Sequence, residues 1–133
     1  MRVYFDENFS PHLIRGFAIL QGGRAREDIQ VLSIAEEFGK GCPDETWIPA
    51  VARQHGVIIT QDTNINRTRA QWALCEANKI GVFFLKPPKA GWDYWDIINL
   101  TLKWWPQIKE TAKNSKRPFG RMIQMHASKW SIL

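Results

Sequence analysis

The chain holds six oxygen-bearing side chains with the types and spacing to do chemistry: Asp6, Glu7, Asp44, Glu45, Asp62 and Asn64. Asp6 ends the apolar run Val3-Tyr4-Phe5, and Asp62 ends Val57-Ile58-Ile59-Thr60-Gln61. A β-branched run that stops at an acid predicts a buried parallel strand that delivers a carboxylate to the carboxyl edge of a sheet. That edge is where open α/β sheets bind ligands. Asp44 and Glu45 follow Gly41-Cys42-Pro43 at a helix start, and the pattern leaves open which of the two faces the site. Carboxylates gathered at one edge repel one another unless a cation sits among them. No Cys/His set accompanies them, so the donors suit Mg²⁺ or Mn²⁺ rather than zinc. Such ions bind phosphate oxygens and activate water for in-line attack on a phosphodiester. Each acid alone also has a plain structural use: a strand stop at Asp6, a first-turn helix acid at Asp44, an Asx turn at Asp62. Their combination is what points to a shared site.

The elements that position these acids follow from local pattern. Strands are expected at 2–6, 29–34, 57–60, 80–85 and 119–126. Ser10 caps a helix with Pro11 in its first turn, ending at Gly22-Gly23, with Leu13, Ile14, Phe17 and Leu20 facing inward. Residues 35–38 make one helical turn. In a helix over 44–55, Ile48, Val51, Ala52 and His55 fall at helical spacing, and Pro49 requires it to start only a few residues earlier. A helix over 67–78 has Ala70, Leu74 and Ala77 as its apolar line. The helix over 92–113 turns Trp95, Ile98, Leu102 and Trp105 to the core, extended by Ile108 and Ala112, with a kink or break at Pro106. Residues 127–133 read as a tail. Strands alternating with helices predict an α/β three-layer sandwich with a mostly parallel central sheet of about five strands, in a single domain over 1–133.

Charge adds a partner class. The formal net charge is +5, unevenly spread: residues 1–85 carry 9 basic and 10 acidic side chains, residues 86–133 carry 9 and 3. A basic final third beside an acid-bearing body points to a polyanion. Arg67 and Arg69, just past Asp62, are candidates to hold phosphates next to the cleavage point, and Lys116 and Arg117 extend the track. Of the seven tryptophans, Trp95 and Trp105 are assigned to the core by their period, and Trp47 and Trp72 to packing. Trp92, Trp104 and Trp130 are left freer, for base stacking or a protein interface. No apolar run approaches the ~20 residues of a membrane span. The chain opens directly on a strand and has no basic-then-apolar leader, so a cytoplasmic protein without a membrane partner is expected. Cys42 and Cys75 lie in no metal or disulfide spacing.

Three ordered blocks carry a family likeness: Val3-Tyr4-Phe5-Asp6-Glu7-Asn8, then Gly41-Cys42-Pro43-Asp44-Glu45-Thr46-Trp47-Ile48, then Gly56-Val57-Ile58-Ile59-Thr60-Gln61-Asp62. With these the chain resembles PIN-like domains, the metal-dependent ribonuclease fold of VapC-type toxins. It is most similar to the short branch whose first strand ends Asp-Glu-Asn. The resemblance implies a sheet with acids at one edge, Mg²⁺ or Mn²⁺, hydrolysis of RNA with Asp6, Asp44 and Asp62 as catalytic acids, and an antitoxin protein or a second copy as partner. Two departures stand out. The helix acid that larger PIN domains supply has no clear counterpart, Glu7, Glu36 and Glu37 being the nearest. Asn64 stands where related domains often carry a further acid. A non-catalytic PIN-like module that binds RNA or protein is therefore the alternative. A phospho-receiver domain fits poorly, because Lys86 stands where a hydroxyl residue belongs after the fourth strand.

Overall fold

The computed structural model describes residues 1–61, 65–88, 90, 91, 93–124 and 129–133, with the backbone alone at 65–67. Its elements run β1 (Arg2–Phe5), α1 (Pro11–Gly22), a 3₁₀ turn (Ala25–Glu27), β2 (Gln30–Ser33), α2 (Ile34–Phe38), α3 (Asp44–Arg53), β3 (Val57–Thr60), α4 (Ile65–Ala77), β4 (Gly81–Lys86), α5 (Tyr94–Asn114), β5 (Phe119–Gln124) and β6 (Ser131–Ile132). One sheet forms in the order β2-β1-β3-β4-β5-β6. Its first five strands are mutually parallel, and β6 pairs antiparallel to β5. The expected five-stranded sandwich thus gains a sixth strand from residues read as tail. Ser131-Ile132 is too short to show an alternating pattern, and pairing with Arg121 and Met122 makes it a strand.

Alternation along each strand divides the core. Val3, Phe5, Val57, Ile59, Phe83 and Leu85 pack with α1 and α5 on one face. Tyr4, Ile58, Val82 and Phe84 pack with α3 and α4 on the other. These are the three layers of the sandwich, and period-two side-chain direction is their cause. Gly56 has a packing reason of its own. A Cβ there would lie 2.7 Å from the Tyr4 ring and 2.9 Å from Val51, so only a glycine lets β3 enter the sheet at this height.

Three helix faces differ from expectation. On α1, Leu20 is 65% exposed and Gln21 is buried in its place. On α4, Ala70 and Ala77 are exposed, while Gln71 and Cys75 face the core. On α5 the buried line is Ile97, Leu100, Thr101, Trp104, Trp105, Ile108 and Ala112, whereas Trp95 is 67% exposed and Leu102 is 44% exposed. The cause is common to all three. A buried polar residue interrupts the apolar pattern, so the neighbouring stripe carries the more continuous apolar signal. Thr101 tolerates burial because its hydroxyl donates to Ile97 O at 2.7 Å within its own helix. Trp104 is therefore core, stacked on Trp130 with ring centroids 5.4 Å apart, and not a free aromatic. The helix also runs unbroken through Pro106.

Gln21 anchors a polar network that ties α1 to α5. Trp105 Nε1 donates to Gln21 Oε1 at 3.0 Å, and Gln21 Nε2 donates to Glu27 Oε1 at 3.1 Å. Lys109 Nζ reaches the same carboxylate at 2.5 Å. The hydrogen bonds from Lys109 and Gln21 hold the Glu27 carboxyl below its ordinary value of 4.5. A depressed carboxyl stabilises the fold above its unfolded value and loses that contribution as it protonates. We expect Lys109→Met to melt below the wild type at neutral pH, with the gap closing as pH falls below 4.5. Thermal melts of both proteins across that range check it, and a gap that stays constant into acid refutes the assignment.

Candidate active site

The sheet changes direction between β1 and β3. From β1 the chain passes outward to β2, and from β3 it passes the other way to β4. Such a switch point opens a crevice at the carboxyl ends of the strands. Asp6 stands there, one residue past β1, with its N–H still in the ladder and donating to Ile59 O at 3.1 Å. The residue is 4% exposed. Thr60, the last residue of β3, donates its hydroxyl to Asp6 Oδ2. The Asn8 backbone N–H donates to Asp6 Oδ1 at 3.1 Å, closing an Asx turn. Gln61 Nε2 donates to Asn8 O and pins that turn to the end of β3. Asp6 thus does more than stop a strand. The parallel register of β1 and β3 brings Thr60 to it.

A second acid reaches the same crevice from α3. Gly39 and Gly41 both adopt positive φ, at 94° and 77°, so the loop before α3 curls back over β1. Gly41 N–H donates to Glu7 Oε2 at 2.9 Å, which fixes that curl. Asp44 then opens α3, where the helix dipole favours a carboxylate. Trp47 Nε1 donates to Asp44 Oδ1 at 3.0 Å. A small cleft results, lined by Asp6, Glu7, Asn8, Asp44, Trp47 and Gln71 together with Ile34, Gly39 and Cys42. Cys75 is buried in the same core cluster as Trp47. Burial, with a smaller contribution from the Asp44 charge, pushes its thiol up to about 12, so it remains protonated and serves packing.

The expected site residues therefore fall into groups. Asp6, Glu7 and Asp44 share the cleft. Between Asp44 and Glu45, Asp44 is the one that lines it, and Glu45 is exposed. Asp62 and Asn64 lie outside the described residues, as do the Arg67 side chain and Trp92. Arg69 is exposed on α4, which follows the carboxyl end of β3. Lys116 and Arg117 do not join this edge. They precede β5, parallel to β4, and so stand at the opposite end of the sheet. Arg117 is engaged there: Nη1 donates to His55 O at 2.6 Å and to Gly56 O at 3.2 Å, and Nη2 donates to Ala112 O at 3.2 Å. Burial lowers the pKa of its guanidinium. Glu36 and Glu37 are exposed, and Glu36 pairs with Arg15 at 3.5 Å.

The donor chemistry fits a hard divalent cation. Three carboxylates, Asp6, Glu7 and Asp44, line the cleft, and Gln71 lines it too, with its Oε1 buried without a hydrogen-bond partner. Among the described residues no three His, Cys, Asp or Glu side chains form a metal-sized group. Gln71 is the lining residue that sequence reasoning missed. The available signal was a glutamine one turn before Cys75, on the stripe next to the assumed apolar line.

The Thr60–Asp6 contact carries a testable cost. Thr60→Val keeps the shape and removes a donor to a buried carboxylate, a loss of about 2 kcal/mol. Urea denaturation of both proteins measures it, and an unchanged midpoint would show that the hydroxyl does not support Asp6.

No curated protein and no solved structure matches the chain. PIN domains are generally nucleases and typically use divalent metals. A family model described as PIN like domain matches residues 1–87, a span that holds β1 to β4 and the three acids of the cleft, and the chain belongs to that family.

Proposed function

We propose that the chain is a metal-dependent endoribonuclease, with Asp6, Asp44 and Asp62 as its catalytic acids and Mg²⁺ or Mn²⁺ as its cofactor. The observation that carries this reading is the buried Asp6 carboxylate at the β1/β3 switch point, sharing one cleft with Asp44. Carboxylates that share one cleft are stabilised by a cation between them. When bound, the cation supplies Lewis-acid polarisation of a phosphodiester and a more acidic water. The chain's own contribution is orientation. Thr60 and Asn8 fix the Asp6 oxygens, and Trp47 fixes Asp44. Arg69, exposed at the start of α4, is a phosphate-holding candidate beside them. Glu7, held by Gly41, shapes the rim of the cleft. The VapC-like order of the three sequence blocks extends the proposal to a toxin restrained by an antitoxin protein.

The test is cleavage of a varied set of RNAs in millimolar Mg²⁺ or Mn²⁺, with and without a chelator. Wild type should cut, the chelator should stop it, and Asp6→Asn should lose about a hundredfold or more of the rate. An absence of metal-dependent cleavage, or an Asp6→Asn protein that cuts as well as wild type, would overturn the nuclease reading in favour of a binding module.

A further inference from the structure

Two buried glutamines in this chain have opposite fates. Gln21, 5% exposed, has its amide satisfied at both ends, by Trp105 and by Glu27. Gln71, 2% exposed, leaves Oε1 without a partner. Leaving a buried acceptor unmet is unfavourable, and an apolar side chain of the same shape would remove the penalty. The other unmet buried side-chain atom among those described is Trp104 Nε1, on the opposite face of the sheet among apolar rings. Gln71 differs because of where it lies: it lines the cleft that Asp6 and Asp44 share. Its missing partner is therefore something that occupies the cleft. An anion is disfavoured there by the two carboxylates. A carbonyl oxygen beside carboxylate oxygens is a donor set for a hard divalent cation.

We propose that Gln71 Oε1 is a neutral oxygen donor to the divalent cation of this cleft. The inference rests on the metal reading above and adds to it a residue from α4. An amide suits the position on charge grounds. Each carboxylate offsets part of the cation's charge, whereas an amide oxygen completes coordination and leaves positive charge to meet a phosphate. A hard cation accepts backbone-like and amide carbonyls for this purpose as well as carboxylates.

Mn²⁺ titration by calorimetry on the full metal-free chain tests it, using wild type, Asp6→Asn, Gln71→Met and Gln71→Glu. Methionine keeps the volume and offers a hard cation no good donor. Gln71→Met should bind Mn²⁺ about tenfold more weakly than wild type. Without metal it should melt at or above the wild-type temperature, because the unmet acceptor is gone. Gln71→Glu should bind Mn²⁺ more tightly, since added ligand charge raises affinity. If Asp6→Asn loses Mn²⁺ while Gln71→Met binds it as wild type does, the cation reading stands and the role of Gln71 is overturned. Wild type that takes up no millimolar Mn²⁺ overturns both. A metal-free Gln71→Met protein that melts well below wild type identifies the amide as structural and overturns the inference as well.

Discussion

A carboxylate held almost out of water, between two parallel strands that lead the chain in opposite directions, is the constraint on which this structure turns. Asp6 is 4% exposed, a burial that is costly for an ionisable group unless its oxygens are met. They are met from two sides: by Asn8 within its own turn and by Thr60 across the ladder. The second contact requires β1 and β3 to be neighbours in register, Phe5 opposite Ile59. That register in turn requires Gly56, the Tyr4 ring above it, and the α3 packing that includes Val51. The position of one acid therefore depends on both the sheet and one of its covering layers.

The same dependence explains what was legible in the sequence. The strands were, because β-branched runs bounded by turns and acids have few other uses. The pairing of Asp6 with Asp44 in one cleft followed from each standing at a strand end or helix start. The choice between Asp44 and Glu45 did not follow, because adjacent helical residues differ by about 100° in direction and nothing local sets the helix's rotation. What sets it is the burial of Trp47, Ile48 and Val51 against the sheet.

Helix phase was the weakest inference for the same reason. On α1, α4 and α5 the true inward stripe contains Gln21, Gln71 and Thr101. A pattern that scores these as polar shifts to the next stripe, which on α5 put Trp95 inside and Trp104 outside. Polar residues enter a core when the folded structure satisfies them, and an apolar pattern does not show the partner. Gln21 is joined to Trp105 and Glu27, and Thr101 to its own helix. Gln71 is the exception, and its position beside Asp6 and Asp44 gives that exception a chemical meaning.

Charge counting met a similar limit. The excess of basic residues over 86–133 suggested a polyanion track, yet much of it is used inside the fold. Lys109 and Lys113 bind Glu27 through its carboxylate and its backbone carbonyl. Arg117 satisfies carbonyls at the end of α5 and the entry to β3. Arg121 lies over the rings of Phe119 and Trp130 at 5.4 and 5.9 Å. Guanidinium groups suit such work because they present several donors in a plane and stack on aromatic faces. Among the described residues at the carboxyl edge of the sheet, where the acids are, exposed cations include Lys40 in the loop before α3, Arg69 after β3 and Lys86 at the end of β4. A phosphate backbone approaching the cleft meets charge that is local to this edge rather than the net charge of the final third.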